Sequence, residues 1–398
     1  MLVPELILLL YFAYVAFYSF ILSVGGLTYR TAIPPVAMRK RKMAVLIPAY
    51  KEDQVITGVA ANALKQNYPA DRFDVVVIAD SLKRETLEKL HAMPIKVVEV
   101  FFEKSTKVKA LNEAMAVIGD DYDCAVILDA DNLMERDFLT KMNDLFEAGY
   151  RAVQGKRDPK NDNNSMALLD GLSETINNFI YRQGTVALGG SASLNGSGMV
   201  FEYNVYKPIM AAMDSIGGFD RELELKLLEQ NIHVHFAKHA VVYDEKVANT
   251  EVFERQRKRW ISSQFFYLKK YFKPGLQRAF KGDFEFFNSA VLRNIQLPRL
   301  LNLGLLTVFT IAAFALSRYT YFSPFIWLGL FTINALAILF AIPKKFYSLR
   351  MAKSILLVPT IFVKMFVLLF KLKGANKTFI HTPHGHAIEA HPSNAEKV

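Results

Sequence analysis

No charged residue interrupts the stretch from Leu6 to Leu27, which reads LILLLYFAYVAFYSFILSVGGL. Its length and apolar composition predict a helix that spans the hydrocarbon core of a bilayer. Glu5 precedes it where a cleaved signal peptide would carry basic residues, so we expect the helix to be retained. The basic residues that follow it are Arg30, Arg39, Lys40, Arg41 and Lys42. The positive-inside rule therefore predicts a transmembrane anchor over residues 1–29, with the next part of the chain in the cytoplasm.

Apolar character returns near the C-terminus. Residues 300–342 predict a transmembrane hairpin, because two apolar stretches flank a short loop that contains Arg318. Residues 274–299 mix apolar and charged side chains, which predicts an amphipathic segment in the membrane interface. Residues 354–373 are apolar but include Lys364, which is costly at bilayer depth, so an interfacial helix competes with a fourth span. Residues 374–398 form a C-terminal tail.

The composition indicates a soluble part joined to membrane segments. The chain has 398 residues, of which 52% are hydrophobic and 22% are charged. Its formal net charge of +10 predicts acidic partners such as phosphates or anionic lipid heads. Nucleic acid is not expected, because no aromatic stacking platform is interleaved with the basic clusters. The single cysteine, Cys124, excludes an intrachain disulfide.

Short apolar strands alternate with helical stretches between residues 43 and 273. The strand-like runs are Met43–Tyr50, Asp74–Asp80, Ile95–Phe102 and Cys124–Asp131. This alternation predicts an α/β domain whose central sheet is mostly parallel. Ligands of such sheets bind beyond the carboxyl ends of the strands. Three strands end there on polar sequences, PAYKED, ADSL and DADN, and so predict one ligand site.

Asp129 and Asp131 follow an apolar run and are separated by one alanine. Like charges this close repel each other unless a cation lies between them, and two carboxylates suit Mg²⁺ or Mn²⁺. A turn with capping aspartates is the alternative. The helix before this run begins with several basic residues, namely Lys104, Lys107 and Lys109. They oppose the helix dipole, and either a bound diphosphate compensates them or they form a solvated basic turn.

Two further segments suit a phosphate-bearing ligand. Gly196 and Gly198, in LNGSGMVF, allow the backbone to approach a ligand closely. The segment FERQRKRW combines basic residues with an indole, namely Arg255, Arg257, Lys258, Arg259 and Trp260. Arginine can bind phosphate through two hydrogen bonds, and an indole offers a flat face to a sugar ring. The alternative is a juxtamembrane helix that binds anionic lipid heads.

Taken in order, these segments resemble the membrane-bound family 2 glycosyltransferases, the group that includes cellulose and hyaluronan synthases. The resemblance covers residues 44–260, and its most specific motifs are DAD (Asp129 and Asp131) for the family's D-x-D and QRKRW (Gln256–Trp260) for its Q-x-x-R-W. HTPH (His381–His384) resembles a motif in the family's C-terminal tail. The resemblance implies a GT-A fold for residues 43–273, a Rossmann-like fold of nucleotide-diphospho-sugar transferases. It also implies a metal-dependent hexosyltransferase of a bacterial-type inner membrane, with its catalytic domain in the cytoplasm.

The resemblance also implies roles for single residues. The base and ribose of the donor would contact Ala49, Tyr50, Glu52 and Asp80. The diphosphate would contact Lys107, and the Mg²⁺ or Mn²⁺ ion would be held by Asp129 and Asp131. The donor site would be completed by Gly196, Gly198, Gln256, Arg259 and Trp260.

The general base is expected in DRELELKLL, residues 220–228. An ungapped comparison of RELEL with the family's EDLEL places Glu222 at the catalytic aspartate. Asp220 and Glu224 remain open as the base, and the segment could also be an amphipathic helix with exposed acids.

The implied reaction is an inverting transfer from a UDP-sugar to a growing polysaccharide or a glycolipid, as in exopolysaccharide or capsule synthesis. A single transfer to a lipid carrier, such as a polyprenyl phosphate, is the alternative among enzymes. A non-catalytic membrane protein that binds anionic lipid is the alternative from another class. Three spans are too few to enclose a polymer channel, so export would require a homo-oligomer or a partner protein.

Overall fold

A computed structural model describes residues 2–247 and 249–372. Eight strands form one sheet in the order β3-β2-β1-β4-β7-β6-β8-β5. The strands are β1 (Met43–Tyr50), β2 (Phe73–Asp80), β3 (Lys96–Val100), β4 (Cys124–Ile127), β5 (Leu133–Met134), β6 (Ala152–Pro159), β7 (Met199–Glu202) and β8 (His235–Asp244). The four predicted strands are all present, although β4 ends before the two aspartates.

The sheet is mixed. β1 pairs in parallel with β2 and β4, β2 with β3, and β6 with β8. β7 runs antiparallel between β4 and β6, and β5 runs antiparallel to β8. The strands β1, β2, β4, β6 and β8 therefore point the same way, and their carboxyl ends lie along one edge. The predicted α/β class is confirmed, with two antiparallel strands added to the parallel ones.

Helices cover both faces of the sheet. The helices of the described residues are α1 (Leu2–Thr28), α2 (Ile56–Ala63), α3 (Arg84–His91), α4 (Lys107–Ile118), α5 (Phe138–Glu147), α6 (Ser165–Asn177), α7 (Thr185–Ala187), α8 (Tyr203–Ala211), α9 (Phe219–Glu229), α10 (Thr250–Ala279), α11 (Phe284–Phe287), α12 (Arg293–Ile295), α13 (Arg299–Ala315), α14 (Pro324–Phe340), α15 (Leu349–Ile355) and α16 (Val358–Leu369). In β1, Val45 and Ile47 pack towards α2 and α5, whereas Ala44 and Leu46 pack towards α4 and α8. Both faces of β1 are buried, which explains its continuous apolar sequence.

Helix α1 packs against α13 and α14. An apolar cluster that includes Phe12, Leu306 and Trp327 joins the three helices. Among the described residues, α1 is the one helix that is long and apolar enough to cross a membrane by itself. Two bent pairs, α11–α12 with α13 and α15 with α16, would raise the number to three if each pair were one span. The predicted membrane boundaries remain predictions.

Lys364, the charge within the last apolar stretch, has a partner outside that stretch. Its Nζ lies 2.7 Å from a carboxylate oxygen of Glu254, near the start of α10. The ion pair connects α16 to the helix that carries the QRKRW segment. Whether residues 354–373 lie in the interface or form a fourth span remains a prediction. The HTPH motif lies outside the described residues.

Candidate active site

A cavity of about 420 Å³ opens at the edge where β1, β2 and β4 end; we call it the donor cavity. The predicted donor residues that line it are Ala49, Tyr50, Glu52, Asp80, Lys107, Asp129, Asp131, Gly196, Gln256, Arg259 and Trp260. The fold therefore brings together residues that are dispersed from β1 to α10. Their individual binding roles remain predictions.

Tyr50 and Asp80 end two adjacent parallel strands and are partners in register. The residues that follow them, Lys51 and Ser81, have positive φ angles of 57° and 58°. Non-glycine residues rarely adopt this conformation, and such strain concentrates at functional sites. Ser81 Oγ donates a hydrogen bond to Asp80 Oδ1 at 2.9 Å, which orients the carboxylate. Both strand ends are thus built as tight turns at the wall of the donor cavity.

Lys107, the first residue of α4, connects three parts of the donor cavity. Its ammonium group forms an ion pair with Asp129 and donates to the carbonyl oxygen of Gly196 at 2.7 Å. Of the three predicted lysines, Lys104 and Lys109 do not line the cavity. The positive charge at this helix N-terminus is therefore directed towards the aspartate pair. A diphosphate bound here would meet Lys107.

Asp129 and Asp131 provide a donor set that fits a hard divalent cation. Both carboxylates line the donor cavity, and Asp131 is 8% exposed. Ser197 Oγ accepts a hydrogen bond from the backbone N–H of Asp129 at 2.9 Å, which fixes the turn after β4. The described part of the chain contains no group of three or more His, Cys, Asp or Glu side chains able to hold a metal. A cation on this pair would therefore keep sites for water and phosphate oxygens, as Mg²⁺ commonly does.

The QRKRW segment lies in the first half of α10. Its residues on the donor cavity are Gln256, Arg257, Arg259 and Trp260. The Arg257 guanidinium lies 4.3 Å from the centroid of the Trp260 ring and pairs with Asp170. Arg257 thus connects the indole to α6. Gln256 Oε1 is buried and has no hydrogen-bond partner among the described residues. A ligand donor would satisfy this acceptor.

Asp220, and not Glu222, lines the donor cavity. Residues two positions apart on an α-helix point about 200° apart, so the two side chains of α9 face opposite sides. Glu222 accepts a hydrogen bond from Tyr271 Oη at 3.1 Å and pairs with Lys270 Nζ at 2.5 Å. Glu224 pairs with Arg293. Of the three acids considered as the base, Asp220 lines the donor cavity, whereas Glu222, the residue that the ungapped comparison placed at the catalytic aspartate, does not.

The surroundings of the two acids shift their pKa values in opposite directions. Burial raises the pKa of Asp220, although the charges of Arg221 and Lys107 act against this. Burial alone would raise the pKa of Glu222 too, but hydrogen bonds from Lys270 and Ser215 bring it below its usual value. A carboxylate with a raised pKa is the stronger base, so both position and basicity favour Asp220.

Gly198 does not line the donor cavity but lies at the sheet, immediately before β7. Its φ is +63°, and a Cβ added there would lie 3.0 Å from Val242. Its backbone N–H donates to the carbonyl oxygen of Ile127 at 2.8 Å, and its own carbonyl oxygen accepts from Gly155. The contacts join β7 to β4 and β6. Gly196, with a φ of +86°, does line the donor cavity, whereas Gly198 does not, and the predicted donor contacts of both glycines remain predictions.

A charged group on another wall of the donor cavity was missed by the sequence analysis. Asp244, at the end of β8, pairs with Arg157 and, at 2.8 Å, with Lys246. Glu174 pairs with Arg182 at 3.1 Å. All five residues line the donor cavity. The run VVYD signals Asp244, because it ends a strand on an acid as β2 ends on Asp80, whereas the other pairs depend on tertiary contacts.

Residues 40–263 match the family described as "Glycosyltransferase like family 2". The chain belongs to this family. The match includes every donor-cavity residue named above, from Ala49 to Trp260. The predicted family and enzyme class are thereby confirmed.

Two curated relatives agree with this assignment. A "Probable glycosyltransferase YdaM" of Bacillus subtilis is 26% identical over 299 residues, which are 68% of this chain and 69% of that protein. A "Beta-monoglucosyldiacylglycerol synthase" of Trichormus variabilis is 24% identical over 232 residues, which are 55% of this chain. The second alignment spans 48% of the relative, so about half of that protein has no counterpart in the comparison.

Among solved structures, a mannosyltransferase from Pyrobaculum calidifontis, PcManGT in complex with GDP-Man and Mn²⁺, has a similar fold. The TM-score is 0.56 at 16% sequence identity, and the superposition covers 92% of this chain and 97% of that chain. At this identity the similarity concerns the fold. It confirms the predicted GT-A fold of this family 2 glycosyltransferase.

Proposed function

We propose that this family 2 glycosyltransferase transfers a hexose from a UDP-sugar to an acceptor hydroxyl with inversion at the anomeric carbon. The observation that carries the proposal is the placement of Lys107, the Asp129–Asp131 pair and Asp220 on one cavity. These groups provide the three functions that such a transfer requires: a binding site for the diphosphate, a site for a cation and a base.

Asp220 would accept the proton of the acceptor hydroxyl while the acceptor oxygen bonds to the anomeric carbon. The bond from that carbon to the diphosphate breaks in the same step, and the leaving diphosphate keeps the electron pair. One carboxylate is sufficient, because no covalent glycosyl-enzyme is formed. Asp220 lines the same cavity as Lys107 and the aspartate pair, so the base and the diphosphate site would serve one bound donor.

Lys107 and Arg259 would stabilise the charge that develops on the leaving diphosphate. Burial lowers the pKa of Arg259, and the charges of Asp129 and Asp220 oppose part of that decrease. The guanidinium therefore interacts with both acids. A divalent cation bound to Asp129 and Asp131 would supply further charge neutralisation of the phosphates. Its use is supported by the carboxylate pair and by the Mn²⁺ in the complex of the similar mannosyltransferase.

The strand ends around Tyr50 and Asp80 support a nucleoside site, with the Asp80 carboxylate able to accept hydrogen bonds from the N–H groups of a base. Both glycan and glycolipid acceptors fit the chemistry. The relative named as a beta-monoglucosyldiacylglycerol synthase favours a lipid acceptor. The long apolar helix α1 supports a location in a membrane, with the donor cavity on the cytoplasmic side.

The proposal is tested by measuring nucleoside diphosphate release by purified protein in detergent. UDP-linked hexoses and GDP-mannose are offered separately with Mn²⁺ and with Mg²⁺. We expect turnover of a UDP-hexose that the Asp131→Ala variant loses. Absence of release from all of these donors with either ion would refute the function, and turnover of GDP-mannose alone would refute the UDP specificity.

A further inference from the structure

A second cavity, of about 510 Å³, adjoins the donor cavity; we call it the acceptor cavity. Its apolar lining comes from the C-terminal helices, namely Leu300, Leu303, Ile338, Ile355, Val358, Ile361 and Met365. These helices also expose apolar side chains outward, for example Val308 on α13 and Val363 on α16. The far end of the acceptor cavity thus lies among C-terminal helices that are apolar both inside and on their outer surface.

The near end of the acceptor cavity adjoins the donor cavity. Asp220, Arg221, Arg257 and Trp260 line both. The proposed base thus belongs to the lining of the same cavity that the apolar helices line. A molecule with an apolar chain and a polar head could place its head beside Asp220 and its chain between α13 and α16.

Five arginines line the acceptor cavity, and two of them lack an acidic partner. The paired ones are Arg182 with Glu174, Arg257 with Asp170 and Arg293 with Glu224. In the described part of the chain, neither Arg221 nor Arg299 has a carboxylate oxygen within the 4.0 Å of an ion pair. Asp220 and Glu224 act on the charge of Arg221, and Glu174 acts on that of Arg299, but from beyond ion-pair contact. A ligand anion in direct contact would therefore complement both buried guanidinium groups.

The contacts of these two arginines are with neutral groups. Arg221 donates to Asn294 Oδ1 at 2.6 Å, and Arg299 donates to the carbonyl oxygen of Ser173 at 2.9 Å. Arg299 Nη1 is buried and has no hydrogen-bond partner among the described residues. The Arg299 guanidinium lies 5.9 Å from the centroid of the Tyr181 ring. Burial raises the pKa of Tyr181, and the charges of Arg299, Arg293 and Arg221 oppose that increase.

We propose that the acceptor is a membrane lipid that carries a phosphate monoester, with its chain in the acceptor cavity and its phosphate between Arg221 and Arg299. A phosphate monoester provides one to two negative charges and three acceptor oxygens, which match two guanidinium groups that have no carboxylate in ion-pair contact. The inference rests on the proposed function and specifies its acceptor. An isoprenoid phosphate and a glycerolipid phosphate share this chemistry.

The transfer step then balances as follows. An oxygen of the lipid phosphate bonds to the anomeric carbon of the sugar, and the bond from that carbon to the nucleoside diphosphate breaks with its electron pair. A monoanionic phosphate passes its proton to Asp220. The products are a lipid glycosyl phosphate and a nucleoside diphosphate.

The test uses the full chain in lipid vesicles with the donor that it turns over. A polyisoprenyl phosphate, the matching polyisoprenol, phosphatidic acid and diacylglycerol are compared as acceptors. We expect transfer to a phosphate at roughly ten times or more the rate of its uncharged counterpart. The phosphate that reacts identifies the source, and transfer to an uncharged lipid at an equal or higher rate would overturn the proposal.

Matched variants separate the two ends of the acceptor cavity. Arg221→Gln and Arg299→Gln should each raise KM for the lipid phosphate about tenfold, and the Lys variants should restore part of the affinity. Arg84→Gln, at an exposed arginine of α3, is the control.

Leu303→Trp should block the site of the lipid chain and reduce lipid transfer relative to donor hydrolysis, whereas Val308→Trp on the outer face of the same helix should not.

Failure of this inference can be distinguished from failure of the proposed function. Donor hydrolysis in the absence of acceptor reports the donor cavity alone. If no donor is hydrolysed or transferred, the proposed function fails. If the donor is turned over but an uncharged lipid or an oligosaccharide accepts the sugar, only the lipid phosphate is excluded. Unchanged KM in both glutamine variants would likewise exclude it.

Discussion

Asp220 and Glu222 lie two residues apart on α9, and their carboxylates have opposite surroundings. Asp220 lines both the donor and the acceptor cavity, whereas Glu222 accepts hydrogen bonds from Ser215 and Tyr271 and pairs with Lys270. Asp220 is thus placed to act on a bound substrate, whereas Glu222 attaches α9 to α10. Two isosteric substitutions separate these roles.

Asp220→Asn should abolish transfer and leave donor binding intact, because the amide cannot accept the proton. Glu222→Gln should retain transfer and lower the free energy of unfolding by about 1–3 kcal/mol, since it removes the charge of a buried carboxylate that pairs with the partly exposed Lys270 and weakens its hydrogen bonds. Initial rates, donor affinity and thermal unfolding in detergent give the three readouts. Loss of transfer in Glu222→Gln without loss of folded protein would return the base to Glu222.

The same ion pair predicts a dependence of stability on pH. The pKa of Glu222 is lowered in the folded protein, so its contribution is present above the usual value of 4.5 and is lost as pH falls through the lowered pKa. Thermal unfolding of the wild type and of Glu222→Gln should therefore converge in acid. A difference in melting temperature that persists at low pH would contradict this assignment.

Activity should also fall in acid, because the base must be ionised. Burial raises the pKa of Asp220 above 3.8, and the charge of Arg221 limits that increase. Arg221→Gln should therefore move the acidic limb of the kcat profile to higher pH. The profile is measured at saturating lipid so that weaker acceptor binding does not contribute. An unchanged limb would mean that another group controls it.

Removal of divalent cations should abolish transfer. A chelator should act on the wild type, and re-addition of Mn²⁺ or Mg²⁺ should restore activity, because the paired carboxylates need a cation to hold phosphates beside them. Asp131→Ala should be inactive with either ion, whereas Asp71→Ala, at an exposed aspartate paired with Arg72, should resemble the wild type. Full activity in the chelator would exclude a cation role for the pair.

The position of α16 depends in part on the ion pair between Lys364 and Glu254. Both side chains are partly exposed, so Glu254→Gln and Lys364→Met should each cost only about 0.2–1 kcal/mol. The charge-exchanged pair, Glu254→Lys with Lys364→Glu, should recover most of that loss in thermal unfolding. Equal instability of the exchanged pair and the single variants would show that the contact does not stabilise α16.

Much of the donor cavity could be predicted from the sequence. The apolar runs that end on PAYKED, ADSL and DADN mark strands whose polar ends meet, because parallel strands place their carboxyl ends on one edge. The same signal at VVYD was overlooked, and with it Asp244. The acceptor cavity could not be predicted, since Arg221 and Arg299 are distant in sequence and their lack of acidic partners appears only in three dimensions.

The family, the strand ends and the apolar helices could be predicted from the sequence, because these depend on local composition and on the spacing of residues along one strand or helix. Which acid of α9 faces the donor cavity, and which arginines have no carboxylate in ion-pair contact, depends on tertiary packing. The rotation of a helix about its axis is set by what it packs against. For α9 this packing includes Lys270 and Tyr271 of α10, which bind Glu222 and so turn Asp220 towards the donor cavity.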